Sequence, residues 1–228
     1  MTQDKGFLLS YLKYGDNDAI AHIFTKENGY ESFFIKGIYS PRNRKKAYLQ
    51  PLNELDFTLS NRLKSGVIKN ISKIEALGSL DENLDVRTNS VVFFIADFLN
   101  QVLRNETCNP SIYKEIDVFK SALNQRKFQS HLIFLVNILN IHGLNPLFSD
   151  QKFLNPESGN FTDYEVHNLF NEEISKIWKQ IISAEKPYEI KIEPKKRKDF
   201  LDSILVYYHY HFSDFRTPGS LEIIQQIF

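Results

Sequence analysis

Cysteine is nearly missing from this chain: Cys108 is the only one in 228 residues. A lone cysteine excludes an internal disulfide framework and any multi-cysteine zinc site, and it is compatible with a reducing compartment. Long apolar runs are missing too. No stretch approaches the ~20 residues of a membrane span. The start, Met1-Thr2-Gln3-Asp4-Lys5-Gly6, lacks a basic segment followed by an apolar core, so neither a secretory signal nor a membrane partner is expected. The familiar catalytic patterns are absent: no Gly-x4-Gly-Lys-Ser/Thr loop, no Gly-x-Ser-x-Gly elbow, no Cys-His signature and no His-Glu-x-x-His. Such absence weighs weakly against an enzyme, since active sites assemble from distant residues. Net charge is also missing, with 28 basic and 28 acidic side chains. The balance hides an asymmetry, because residues 1–78 carry +4 and residues 79–228 carry −4.

Apolar content, by contrast, is ample for a core, at 42% hydrophobic and 14% aromatic residues. From Phe7 to about Leu77 the pattern is one of strands. Ala19–Thr25 and Ser32–Ile35 flank Glu27-Asn28-Gly29-Tyr30, and Asn-Gly is a strong hairpin signal because both residues tolerate positive φ. Phe7–Leu12, Leu52–Leu59 and Val67–Ile74 supply further runs. Five short strands in some 70 residues suit a small closed barrel.

After Gly78 the period becomes helical. Thr88 or Asn89 can cap a helix whose Val91, Val92, Ile95, Phe98, Leu99, Val102 and Leu103 form one buried stripe. A second helix is expected over Ser111–Leu123. A third, Phe128–Ile141, is apolar nearly all round and therefore central, stopping at His142-Gly143-Leu144-Asn145-Pro146. Residues 147–162 are irregular, and helices resume over Glu165–Ile182, Pro194–Phe212 and Ser220–Phe228. The expected fold class is α+β, with a barrel domain at 1–78 followed by a helical domain at 79–228.

The basic side chains concentrate in one connector, Lys36-Gly37-Ile38-Tyr39-Ser40-Pro41-Arg42-Asn43-Arg44-Lys45-Lys46. Five cations and no acid in eleven residues create a local positive field. Pro41 and Asn43 argue against a helix there, so an exposed loop on a β-scaffold is expected, with phosphate backbones as partners. A loop of this kind is often only solubilising. Tyr39 and Tyr48 bracket the cluster, however, and cations interleaved with aromatics can track a strand by its phosphates and stack its bases. Lys13, Lys64 and Lys69 are further candidates on the same barrel. A second basic run, Lys195-Lys196-Arg197-Lys198, falls in the first turn of the Pro194 helix, where positive charge opposes the helix dipole. It is either a solvated helix start or a second contact.

His209 and His211 invite a metal, but two residues apart on a helix they diverge, whereas chelating pairs sit three or four apart. No metal site and no cofactor are expected. Glu172 and Glu173 are adjacent acids on an exposed helix and need no active site.

The order of features resembles the RecO family of bacterial DNA repair and recombination mediators. Leu12-Lys13-Tyr14-Gly15-Asp16-Asn17-Asp18-Ala19-Ile20 is similar to the family's first strand and turn. Phe24-Thr25-Lys26-Glu27-Asn28-Gly29, Ile35-Lys36-Gly37-Ile38 and Leu49-Gln50-Pro51-Leu52 follow in family order. Tyr207-Tyr208 to His211 and Ser220-Leu221 resemble its last helices. The resemblance implies an OB-fold, a helical domain and no enzymatic activity. It also implies binding of single- and double-stranded DNA, strand annealing, engagement of SSB and, with RecR, loading of RecA on SSB-coated DNA. RecF is a further partner of that pathway, and the location implied is the cytoplasm. Carried onto this chain, Lys36, Arg42, Arg44, Lys45 and Lys46, with Tyr39, are the DNA-binding candidates, and Lys195, Lys196 and Arg197 are secondary ones. Many RecO proteins hold a four-cysteine zinc site after the central helix. Residues 148–162 here have no cysteine, so packing by Phe153 and Phe161 is expected instead. The SSB tail calls for an apolar pocket rimmed by bases, which a sequence does not display. The alternative reading is a non-catalytic protein-interaction scaffold with an OB-like barrel, and a further rival is a nucleic-acid enzyme with clustered acids.

Overall fold

A computed structural model describes residues 2–60, 68–77 and 85–226. The chain divides into two compact units, residues 1–113 and 114–228. The 78/79 boundary expected from the sequence lies outside the described residues, as do Lys64 and Val67.

The first unit is built on strands β1 (Gln3–Tyr14), β2 (Asp18–Thr25), β3 (Gly29–Ile35), β4 (Glu54–Leu59) and β5 (Lys69–Ala76). They close into a barrel in the order β1-β2-β3-β5-β4. All pairs are antiparallel except β3 with β5. Five Greek-key strands closed in this way make the OB-fold, and helices follow, so the chain is α+β. β1 can serve both edges because it is long: Gln3–Phe7 pairs with β4 while Gly6–Tyr14 pairs with β2. Alternation places Ala19, Ala21, Ile23, Phe33, Ile35, Leu55, Phe57 and Leu59 inside, and closure removes the exposed edges of an open sheet. The β2–β3 loop differs from a two-residue Asn-Gly turn. Thr25 pairs with Gly29 across a three-residue loop, and only Gly29, at φ 82°, enters the left-handed region.

Helix α1 (Val86–Val102) completes this unit. Its cap is Asp85, whose Oδ1 accepts the Thr88 N–H at 2.8 Å, so the helix starts ahead of the cap expected at Thr88 or Asn89. Asn100 Oδ1 accepts from Ser10 and Tyr30, both at 3.0 Å. Tyr113, in the first turn of α2 (Pro110–Asn124), donates to Glu54 at 2.9 Å and packs against Phe7 at 4.6 Å.

The second unit takes the rest of α2 with α3 (Ser130–Ile141), α4 (Glu172–Ile182), α5 (Pro194–His211) and α6 (Leu221–Gln225). α3 is buried at nine of the ten positions from Ser130 to Leu139, Asn137 being the exception, which makes it the central helix its composition requires. Trp178 is fully buried between Phe200 and Tyr207, its indole N–H donating to Ser203 at 3.1 Å. The helix expected from Glu165 starts at Glu172 instead, capped by Asn171. Among the described residues no helix is long and apolar enough to cross a membrane.

Candidate nucleic-acid interface

The basic connector joins β3 to β4, and its shape follows from local hydrogen bonding. Gly37 sits at φ 67°, a conformation that costs an L side chain about 1–2 kcal/mol, and its N–H donates to Asp18 at 2.7 Å. Tyr39 N–H donates to the Asn17 carbonyl at 2.8 Å, tying the connector to the β1–β2 turn. Ile38 is 1% exposed and anchors the segment in the barrel core. Asn43 does not interrupt a helix but starts one. Its Oδ1 accepts the Lys45 N–H at 2.9 Å and caps a 3-10 turn over Arg44–Tyr48, while its side-chain amide donates to Gly37 O at 3.0 Å. The connector returns through Leu52, held at φ 58° with its N–H on Leu8 O at 2.7 Å and its side chain fully buried.

On this frame Lys36, Arg42, Arg44 and Lys46 are exposed, and Lys45 is half-buried. Lys45 differs in duty, because its ammonium donates to the Ile74 carbonyl of β5 at 3.0 Å. Among the described residues none of the five forms an ion pair with a carboxylate. Tyr39 and Tyr48 pack by one side against the barrel core. Lys13 lies 5.8 Å from the Tyr39 ring centroid. Burial, and secondarily the Tyr11 hydroxyl, raises the Tyr39 phenol above its ordinary range. Lys69 is committed elsewhere, paired with Glu31.

The second basic run belongs to the other unit, and its charges are answered locally. Lys196 meets Glu173 at 3.2 Å and Glu193 at 3.4 Å, and Lys195 meets Glu193 at 3.5 Å. Arg197 donates to the Ile192 carbonyl at 3.1 Å. Lys196, then Lys195, holds the Glu193 carboxyl below its usual range. Beside this helix start lies a cavity of about 620 Å³. Phe128, Ile190 and Ile192 give it an apolar wall, with Arg126, Lys127 and Lys191 also lining it. The wall is held by Gln129, whose side-chain amide donates to Ile190 O and accepts the Ile192 N–H. Tyr188 is fixed beneath by a hydrogen bond to Glu115, which also accepts from Asn137 at 2.8 Å. Burial raises the Glu115 carboxyl.

The model of the family "Recombination protein O N terminal" matches residues 1–80. Proteins named "DNA repair protein RecO" from Flavobacterium johnsoniae and Christiangramia forsetii are 25% and 26% identical to this chain, over 98% of it and 98% of each relative. A protein of the same name from Phocaeicola vulgatus is 28% identical over 98% of this chain and 97% of its own length. Residues 1–80 thus match the RecO N-terminal family, and the chain is similar to RecO proteins over nearly its whole length.

After α3 the residues do not fit the four-cysteine zinc site that the resemblance brings to mind. Residues 148–162 contain no cysteine, and no three His, Cys, Asp or Glu cluster among the described residues. Strands β6 (Phe153–Leu154) and β7 (Phe161–Thr162) pair instead. Leu154 and Phe161 are the buried anchors, whereas Phe153 is only half-buried. Lys179 lies 4.7 Å from the Phe161 ring centroid, and the Leu154 N–H donates to Ser175 at 2.9 Å. His209 and His211 are engaged apart, on Thr217 and on the Pro156 carbonyl.

Proposed function

We propose that this chain is a cytoplasmic, non-catalytic mediator of DNA repair and recombination. In this reading it binds single- and double-stranded DNA, anneals complementary strands and, with RecR, helps load RecA onto SSB-coated DNA, with RecF as a further partner. The observation that carries the reading is the set of cations on the β3–β4 connector, free of carboxylate partners among the described residues and mounted on an OB barrel. Cations held this way exchange condensed counterions for phosphates, and neutralising two strands at once lowers the repulsion that opposes annealing. The barrel, within residues 1–78, is the DNA-binding part, and residues 79–228 supply docking for protein partners. Lys36, Arg42, Arg44 and Lys46 are the primary phosphate contacts, with Tyr39 beside them. Lys45 contributes mainly by holding the connector. Lys195, Lys196 and Arg197 are secondary, since acids and a carbonyl already engage them. The cavity bounded by Phe128, Ile190 and Ile192, with bases lining it, has the character an SSB tail requires.

Reversing Arg42, Arg44 and Lys46 to Glu tests the assignment. Affinity for unrelated DNA sequences is expected to fall about equally, and the salt slope on single strands to shrink by about two. Undiminished affinity in a folded variant would remove the connector from the interface. A wild-type protein with no salt-dependent DNA binding would favour the scaffold reading.

A further inference from the structure

We propose that the barrel rim carries a base-stacking site, formed by Tyr11 and Tyr39, that favours unpaired nucleotides over duplex. This rests on the DNA-binding reading above. The register places Tyr11 opposite Ala21 and Lys13 opposite Ala19, and directly opposed residues share one face of a sheet. Both alanines are fully buried in the barrel core, yet Tyr11 remains 42% exposed. β1 therefore runs past the edge of the core, and two methyl-sized partners leave the ring without a cross-strand neighbour of its own size. Tyr39 reaches the same rim, with its backbone pinned to Asn17, one face of its ring on the core and Lys13 at 5.8 Å from the centroid. Two rings and a lysine thus share the rim from which the connector carrying the exposed Arg42, Arg44 and Lys46 leaves the barrel. Of the acids on the neighbouring turn, Asp18 accepts the Gly37 N–H, and Asp16 lies on the turn itself.

Positive charge beside open aromatic faces fits single-stranded nucleic acid, because every base offers a π-face once it is unpaired. In a duplex those faces are already stacked. The cations set affinity for any phosphate chain, and the rings add a component that salt does not screen.

The test measures affinity for an oligothymidylate, an abasic oligomer with the same number of phosphates, and a duplex. Wild type is compared with Tyr11→Ala, Tyr11→Phe and Tyr14→Ala. Tyr11→Ala is expected to lose about tenfold on oligothymidylate, with an unchanged salt slope and unchanged affinity for the abasic oligomer and the duplex. Tyr11→Phe should keep wild-type affinity. Tyr14, paired with Asp18 on the opposite face of β1 and set against Phe34, should be neutral. Equal losses on all three ligands, no loss on oligothymidylate, or the loss appearing in Tyr14→Ala would overturn the stacking site while leaving the connector assignment intact. A wild-type protein that binds none of the three at low salt would overturn both.

Discussion

Arg44, Lys45 and Lys46 are neighbours in one 3-10 turn, yet they carry different duties. The exposed Arg44 and Lys46 point charge at solvent, whereas Lys45 bonds the Ile74 carbonyl and braces the connector against β5. Replacing Lys45 with Ala should therefore cost about 1 kcal/mol of stability in urea denaturation, while Lys46→Ala changes stability little and weakens DNA binding more. His131 makes a second residue-level prediction. It is 1% exposed, and burial holds its imidazole down at about 4, aided by Arg197, while a hydrogen bond to Phe128 O acts the other way. A folded-state value below the unfolded 6.5 means the neutral ring is favoured. Its contribution is complete above pH 6.5 and is lost as pH falls towards 4. Between pH 7.5 and 5 the loss should be about 2 kcal/mol. His131→Asn, which can still donate to the Phe128 carbonyl but cannot take a proton, should flatten that dependence in urea titrations at both pH values.

Among elements, the β2–β3 hairpin shows how local signals meet tertiary demands. Asn28-Gly29 marks the turn in sequence, but the reason only glycine serves is remote. A Cβ on Gly29 would lie 2.3 Å from the Thr107 carbonyl carbon and 2.4 Å from Glu106 O, while Tyr30 N–H already donates to that same Glu106 oxygen. Gly29→Ala should cost at least about 2 kcal/mol, read as a lowered urea midpoint with an unchanged slope. Barrel strands and the all-apolar α3 are legible in sequence because alternation and composition are local. The face taken by Tyr11 is not. A register shift between Leu8 and Ser10 changes the phase of β1, so counting along the strand misassigns the residues beyond it. The same limit applies to Lys196, whose partner Glu173 lies on another helix. Asp85 was obscured as a cap because Thr88, three residues on, is the residue it bonds.

At the scale of the whole molecule, zero net charge is compatible with a phosphate-binding protein because the charges are sorted by place. The barrel connector keeps its cations free of carboxylates among the described residues, and the start of α5 neutralises its own. Similarity to RecO proteins runs through both units, over 98% of the chain, and in the cysteine-free segment after α3 the side chains of Leu154 and Phe161 are buried. The central claim is that connector cations on an OB barrel bring complementary strands together. Its most direct test is fluorescence-monitored annealing of two complementary oligonucleotides coated with cognate SSB, across a salt series, with wild type and the Arg42, Arg44 and Lys46 reversal. The account predicts acceleration by wild type that fades with salt and is lost in the reversal variant. Wild-type acceleration that is insensitive to salt, or is retained in the reversal variant, would contradict it.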